Sequence, residues 1–393
     1  LLLSKRVLTN VMKHLLLQEI MSAIKITGIE TFIVDLPTIR PHHLSMTVMR
    51  KQSLVIIRLF SSDGIEGIGE ATTIGGISYA DEFPEGIKLA IDTYFTPLLL
   101  NQDPTSVNFL MKLLDKNISG NNFAKSGIET ALLDAHAKRL GVPLHQLFGG
   151  AISNTLPVLW TLASGDTDKD IAEAKKLIID NKHNVFKLKI GTKTPSEDIK
   201  HVAAIKKALG ADIKLTVDVN QAWSEQVAKR AIQKLQDAGV DLIEQPLAKH
   251  NFEGMARLTS YFEVPIMADE AAATVQDAFK LAKLNAASVF ALKISKSGGL
   301  TNIAKQAAIA QGAGISLYGG TMLEGTIGTA ASAHIFSTLP NLDWGTELFG
   351  PLLLTDDIVK KPITYENFSL EIPKGVGLGI ELDMNQVEKY KRK

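Results

Sequence analysis

The sequence predicts an α/β protein in which an N-terminal α+β domain precedes a parallel β/α barrel. Three observations lead there. From about Lys25 to Phe60 apolar and polar residues alternate, as in antiparallel strands with one buried face, and residues 84–148 then read mainly as helix. Beyond about residue 155 short apolar strands recur, each followed by a helical stretch of 12–16 residues. Corresponding positions Lys189, Asp218, Glu244, Asp269, Lys293 and Tyr318 are separated by 29, 26, 25, 24 and 25 residues. That period suits a parallel barrel better than an open doubly wound sheet.

The elements follow in order. Residues 1–20, "LLLSKRVLTNVMKHLLLQEI", are leucine-rich but interrupted by charge, without the compact apolar centre of a signal segment. They read as an extension outside the fold. Met21 opens the α+β domain, residues 21–150, whose first strands are "IKITGIETFIVDLP" and "SLVIIRLF". "SSDGIEGIGEATTIGG" reads as a turn followed by a flexible loop. Its G-x-G at Gly67 and Gly69 meets Thr72 where a dinucleotide loop needs a third glycine. "SGIETALLDAHAKRLG" is a helix with a glycine stop at Gly141. Residues 151–345 are the barrel, with strands "VFKLKI", "IKLTVDVN", "VDLIEQP", "VPIMADE", "SVFALKIS" and "GISLYGG". Residues 346–393 lose the period, and their strand-like "SLEIP" and "LGIELD" read as a segment returning to the first domain.

Composition narrows the function. Lys+Arg and Asp+Glu both number 42, so no global field draws nucleic acid. Cysteine is absent, which excludes disulfides, thiolate nucleophiles and Cys-ligated metals and fits a reducing cytoplasm. No apolar run approaches the 18 or so residues of a membrane span.

The chemistry lies at the strand ends. In "VFKLKI" Phe186, Leu188 and Ile190 share one face and Val185, Lys187 and Lys189 the other. An unpaired buried ammonium costs several kcal/mol, so something anionic belongs opposite those lysines. The pattern repeats with Thr216, Asp218 and Asn220, with Leu242 and Glu244, and with Ala291 and Lys293. Any one such acid is an ordinary strand-end cap or surface ion pair. Five consecutive strands ending Lys, Asp, Glu, Asp, Lys point instead to a barrel active site. Three carboxylates without His or Cys suit a hard cation, Mg²⁺ or Mn²⁺, and Asp218, Glu244 and Asp269 are the expected ligands. Glu270, next to Asp269, and Asn220, beside Asp218, are expected to support them. Such a pocket favours a small anionic substrate, and a lysine beside another lysine and a cation is expected to have its neutral form favoured. A metal-dependent hydrolase would show histidines at strand ends, and none of the nine lies there.

The K-x-K of "FKLKI", the D-x-N of "TVDVN", "LIEQP", "MADE" and the lysine of "ALKIS" resemble the enolase superfamily, in its muconate-lactonizing branch. "EGIGEATTIGG", "FAKSGIETALLDA", "LYGGTMLEGTIGTAASAH" and "WGTELFGPLLLTDDIV" extend the resemblance from about Met21 to the end. It implies an enolase-like fold, a capping α+β domain on a modified (β/α)7β TIM-type barrel. It also implies reversible cycloisomerisation of cis,cis-muconate, a dicarboxylate, to muconolactone in aromatic catabolism, with Mn²⁺ or Mg²⁺. Lys189 is then the acid/base, Lys187 its electrostatic aid, and Lys293 the lysine facing it. Glu347 matches a proton donor, although a hydrogen-bonded structural acid fits that position as well. Ile74 and Tyr79, in the loop "TIGGISY", are implied substrate contacts. A homo-oligomer such as an octamer is implied too. Chloromuconate cycloisomerisation, N-acylamino-acid racemisation and dipeptide epimerisation on the same scaffold stay open. Outside these motifs, His42 and His43 read as surface histidines near the site, His334 as a buried core imidazole, and Trp223 as barrel-rim packing.

Overall fold

A computed structural model describes residues 24–43 and 47–393, so the expected extension at residues 1–20 lies outside the described residues. Strand β1 (Ile26–His43) pairs antiparallel with β2 (Val48–Ser61), which pairs with β3 (Glu66–Thr72). The third strand corrects the sequence reading, since it falls within the stretch expected to be a turn and loop. Its glycines hid it, and packing explains them. A Cβ added at Gly67 would lie 2.0 Å from the Ala131 carbonyl oxygen, and one at Gly69 would lie 2.1 Å from that of Gly127. Only bare backbone lets the overlying helix approach so closely.

Helices α1 (Pro84–Ala90), α2 (Val107–Asn117) and α3 (Asn122–Leu140) follow. α3 is the helix that lies on β3, and its residues Phe123–Ala135 are all buried. It ends at Gly141, whose φ of 71° is the left-handed conformation that glycine adopts without steric cost.

The second sheet begins beside a short strand β4 (Thr155–Pro157). It alternates β5 (Trp160–Leu162), α4 (Thr167–Ile179), β6 (Val185–Lys189), α5 (Pro195–Leu209), β7 (Lys214–Asp218), α6 (Glu225–Asp237) and β8 (Leu242–Glu244). The alternation continues through α7 (Phe252–Tyr261), β9 (Ile266–Ala268), α8 (Val275–Leu284), β10 (Val289–Leu292), α9 (Leu300–Gly312), β11 (Ser316–Gly319) and α10 (Thr326–Phe336). Local chemistry starts several of these helices. Thr194 and Thr274 each form a reciprocal capping box, and Asp166 and Ser224 accept from the backbone three residues on.

Strands β5 to β11 are all parallel and ordered as in the chain. The curled sheet is joined edge to edge by Thr346, which makes parallel bridges to both Gly319 and Val158. Leu159 N donates to Thr346 O at 2.9 Å and Glu347 N to Gly319 O at 2.8 Å. The eighth strand position is thus reduced to a few residues, with Glu347 among them.

Near the C-terminus "SLEIP" supplies β13 (Ser369–Glu371), which pairs with β12 (Tyr365–Glu366) and with β4. "LGIELD" is not the strand its alternation suggests, making only an isolated bridge from Leu382 to Val359. After α11 (Met384–Tyr390) the chain reaches β1, where Arg392 N donates to Ile33 O at 2.8 Å and its guanidinium grips Asp35 at 2.6 Å. Among the described residues no helix is long and apolar enough to cross a membrane.

Candidate active site

The parallel register builds the site. Lys189 lies opposite Asp218 on the next strand, and Asp218 opposite Glu244 on the one after. Neighbouring strands run about 4.8 Å apart, so these three side chains form a row. Strand alternation does the rest, burying Phe186 and Leu188 on the far face of β6 and turning Lys187 and Lys189 inward. Asp269 directly follows β9 and Lys293 directly follows β10. Lys189, Asp218, Asn220, Glu244, Asp269, Lys293 and Glu347 line one cleft, which His42, Ile74 and Tyr79 border from the N-terminal part of the chain.

Charges interlock across it. Lys187 Nζ lies 2.6 Å from Glu244 Oε2 and 2.9 Å from Glu347 Oε2. Lys189 Nζ donates to Asp218 Oδ2 at 3.0 Å and Asn220 Oδ1 at 3.3 Å. Lys293 Nζ donates to Asp269 Oδ2 at 2.6 Å and to the Tyr79 hydroxyl at 3.2 Å, and that hydroxyl donates to the same carboxylate at 3.2 Å. Thr161 Oγ1 donates to Glu347 Oε1 at 3.3 Å. Asn220 Nδ2 donates to Glu270 Oε1 at 3.3 Å. Asn220 arrives by a different route from the one its strand alternation suggests. β7 ends at Asp218, and a left-handed turn with φ 44° at Asn220 brings the amide back.

Burial, the largest effect, pulls the Lys189 ammonium down, but Asp218, Glu347 and Glu244 together hold it above the ordinary lysine range. Lys187 and Lys293 are held well above it by their carboxylate partners despite burial. The expectation of a favoured neutral lysine counted a bound cation among the neighbouring charges, and these directions reflect the protein side chains. The acids share the strain unevenly. Burial and then Asp218 push Glu244 up to about 8, and burial and then Asp269 push Glu270 up to about 7. Asp269 is buried, yet Lys293 and Lys296 hold it well below the usual carboxylate range.

Among the described residues no three His, Asp or Glu side chains form a ready-made metal cage. Asp218 and Asp269 are instead drawn onto ammonium groups. The donor set nevertheless fits a hard cation. Three buried carboxylates end adjacent strands, and Glu244 Oε2, buried and 2.6 Å from Lys187, makes no well-directed hydrogen bond. Its raised titration marks a place short of positive charge.

Sequence reasoning missed Lys296, whose buried ammonium donates to Asp269 Oδ1 at 2.7 Å. It follows the inward Lys293 by three residues in a single helical turn, Ile294–Ser297, and that spacing was the available signal. Thr321, Leu323 and Phe349, which also line the cleft, carried none. His42 is buried at the cleft, contrary to the surface reading. His334 is a core imidazole bonded to Leu378 O at 3.1 Å, and Trp223 is buried.

Residues 28–149 match the family described as "Mandelate racemase / muconate lactonizing enzyme, N-terminal domain", and residues 169–387 match "Enolase C-terminal domain-like". Muconate cycloisomerase 1 of Acinetobacter baylyi is 57% identical over 93% of this chain and 99% of its own length. A chloromuconate cycloisomerase of Cupriavidus necator is 44% identical over 94% of this chain and 99% of its own. The crystal structure of a muconate lactonizing enzyme from Pseudomonas fluorescens, complexed with muconolactone, superposes with a TM-score of 0.93 at 56% identity, covering 94% of this chain and 100% of that one. The chain belongs to the enolase superfamily, in its mandelate racemase / muconate lactonizing enzyme family.

Proposed function

We propose that the protein is a divalent-metal-dependent isomerase that interconverts cis,cis-muconate and muconolactone, with Lys189 as its acid/base. One observation carries the choice of Lys189. Of the lysines around the cleft, its side chain is 20% accessible, against 1% for Lys187, 5% for Lys293 and 7% for Lys296. Only Lys189 combines an inward position with an open approach to a reacting carbon.

In the forward direction one substrate carboxylate oxygen bonds to the nearer carbon of the remote double bond, the carbon β to the other carboxylate. The electron pair moves to the carbon α to the other carboxylate. Lys189, as the ammonium, forms the new C–H bond there and is left as the neutral amine. The reverse reaction begins with that amine taking the α-proton. Asp218 and Asn220 fix the ammonium's position, and Lys187 is tied to Glu244 and Glu347 and acts by its charge. Lys293 faces the substrate with Asp269 and Tyr79 as partners. Asp218, Glu244 and Asp269 would hold Mn²⁺ or Mg²⁺, with Glu270 and Asn220 behind them. A bound divalent cation supplies positive charge to the substrate carboxylate as negative charge builds on it. Ile74 and Tyr79 close over the substrate, and Glu347 serves as a proton donor or as the hydrogen-bonded acid of the last strand position.

The same reading divides the chain at residues 21–150, 151–345 and 346–393 and places it in the cytoplasm as a homo-oligomer. Its test is loss of the diene absorbance of cis,cis-muconate on adding enzyme and Mn²⁺. Turnover of chloromuconate, an N-acylamino acid or a dipeptide in place of muconate would move the assignment to that substrate.

A further inference from the structure

Helix α10 begins without a cap of its own. Its N-cap residue is Gly325, which has no side chain to meet the unpaired amides of the first turn. A distant carboxylate meets them instead. Glu70, buried on β3, accepts from Gly325 N at 2.8 Å through Oε1 and from Gly328 N at 2.9 Å through Oε2. Thr72 Oγ1 donates to Oε1 at 2.6 Å and fixes its orientation. Just upstream, Gln52 of β2 is also buried, and its Nε2 donates to Met322 O at 3.0 Å and Leu323 O at 2.9 Å.

These bonds converge on residues 321–325, the connection from β11 to α10 that presents Thr321 and Leu323 to the cleft. The connection needs holding. Leu323 has a φ of 59°, a conformation that non-glycine residues keep only when their surroundings over-determine it. Thr321 Oγ1 is meanwhile committed, accepting from Leu323 N at 2.9 Å and donating to Glu324. Close packing leaves little slack, since a Cβ at Gly325 would lie 2.6 Å from Leu54 Cδ1.

We propose that Glu70 and Gln52 are positioning residues: two side chains of the N-terminal sheet hold the 321–325 connection so that Thr321 and Leu323 form one wall of the substrate cleft. The inference rests on the muconate reading only for its choice of substrate.

The test uses the full chain with Mn²⁺ and the variants Glu70→Gln and Gln52→Leu, each read in two ways. Because the connection carries none of the groups assigned to proton transfer or metal, KM for cis,cis-muconate should rise roughly tenfold while kcat stays within about threefold. Without substrate, amide hydrogen exchange over residues 321–328 should quicken in both variants and stay unchanged over β6 and β7. The double variant should raise KM by less than the product of the single effects, because one connection is released once. Unchanged exchange over 321–328 in both variants would overturn the inference, as would a fall in kcat at constant KM. If the unaltered enzyme does not turn over muconate, the muconate reading fails by itself and exchange alone decides this one. If Glu70→Gln does not fold, Gln52→Leu carries the same outcomes.

Discussion

Lys189 shows how much one side chain's function depends on its neighbours. Its sequence, alternating with Phe186 and Leu188, was enough to turn it inward and to require anionic company. Its company was legible too, because Asp218 and Glu244 end strands at the repeat spacing. Its protonation state was not, because that depends on how many carboxylates face it in three dimensions. Glu347 arrives from far along the chain to join Asp218 in holding the proton on. Lys189→Ala should lower turnover by about 10²–10⁴-fold or more while leaving the circular dichroism spectrum unchanged. Substantial residual turnover would reassign the acid/base. Replacing Asp218, Glu244 or Asp269 singly with Ala should weaken Mn²⁺ binding in calorimetry by at least about tenfold. Unchanged affinity would remove that residue from the ligand set.

At the scale of elements, periodicity was a good guide where side chains carry the pattern and a poor one where backbone does. β6 to β11 announced themselves through apolar runs of the right length. β5 did not stand out as a strand, since three residues give too short a run to show a period. The closing contact at Thr346 has no length at all, being made of bridges to Gly319 and Val158. β3 was hidden by the glycines that make it useful. Gly69→Val should therefore destabilise the protein by about 3 kcal/mol or more in urea denaturation, since the new side chain would overlap the α3 backbone. Gly76→Ala has open space around it and should cost only the strain of a φ near 64°, about 1 kcal/mol. Equal losses at the two positions would contradict the close-approach explanation.

Over the whole molecule, the buried acids make stability depend on pH. Glu244 titrates at about 8, and Glu70 and Glu270 at about 7, chiefly because all three are buried. In the unfolded chain they titrate near 4.5, so the folded state holds more protons between those values and stability falls as pH rises. His334, lowered to about 4 by burial, acts oppositely, but its contribution is complete above the ordinary 6.5. From pH 6.5 to 8.5 the metal-free protein should therefore lose about 1.4 kcal/mol per pH unit for each carboxyl still protonated. Saturating Mn²⁺ should flatten that decline, and a metal-free curve that rises instead would count against the crowded acids. The deepest commitment is that one ammonium in this charged array passes a proton to carbon. Muconolactone incubated with enzyme and Mn²⁺ in D₂O, followed by proton NMR, reads that transfer directly. Deuterium should replace one hydrogen on the carbon α to the free carboxylate, on one face only, and Lys189→Ala should show none. Exchange that persists in Lys189→Ala, or no exchange in the unaltered protein during turnover, would contradict the account.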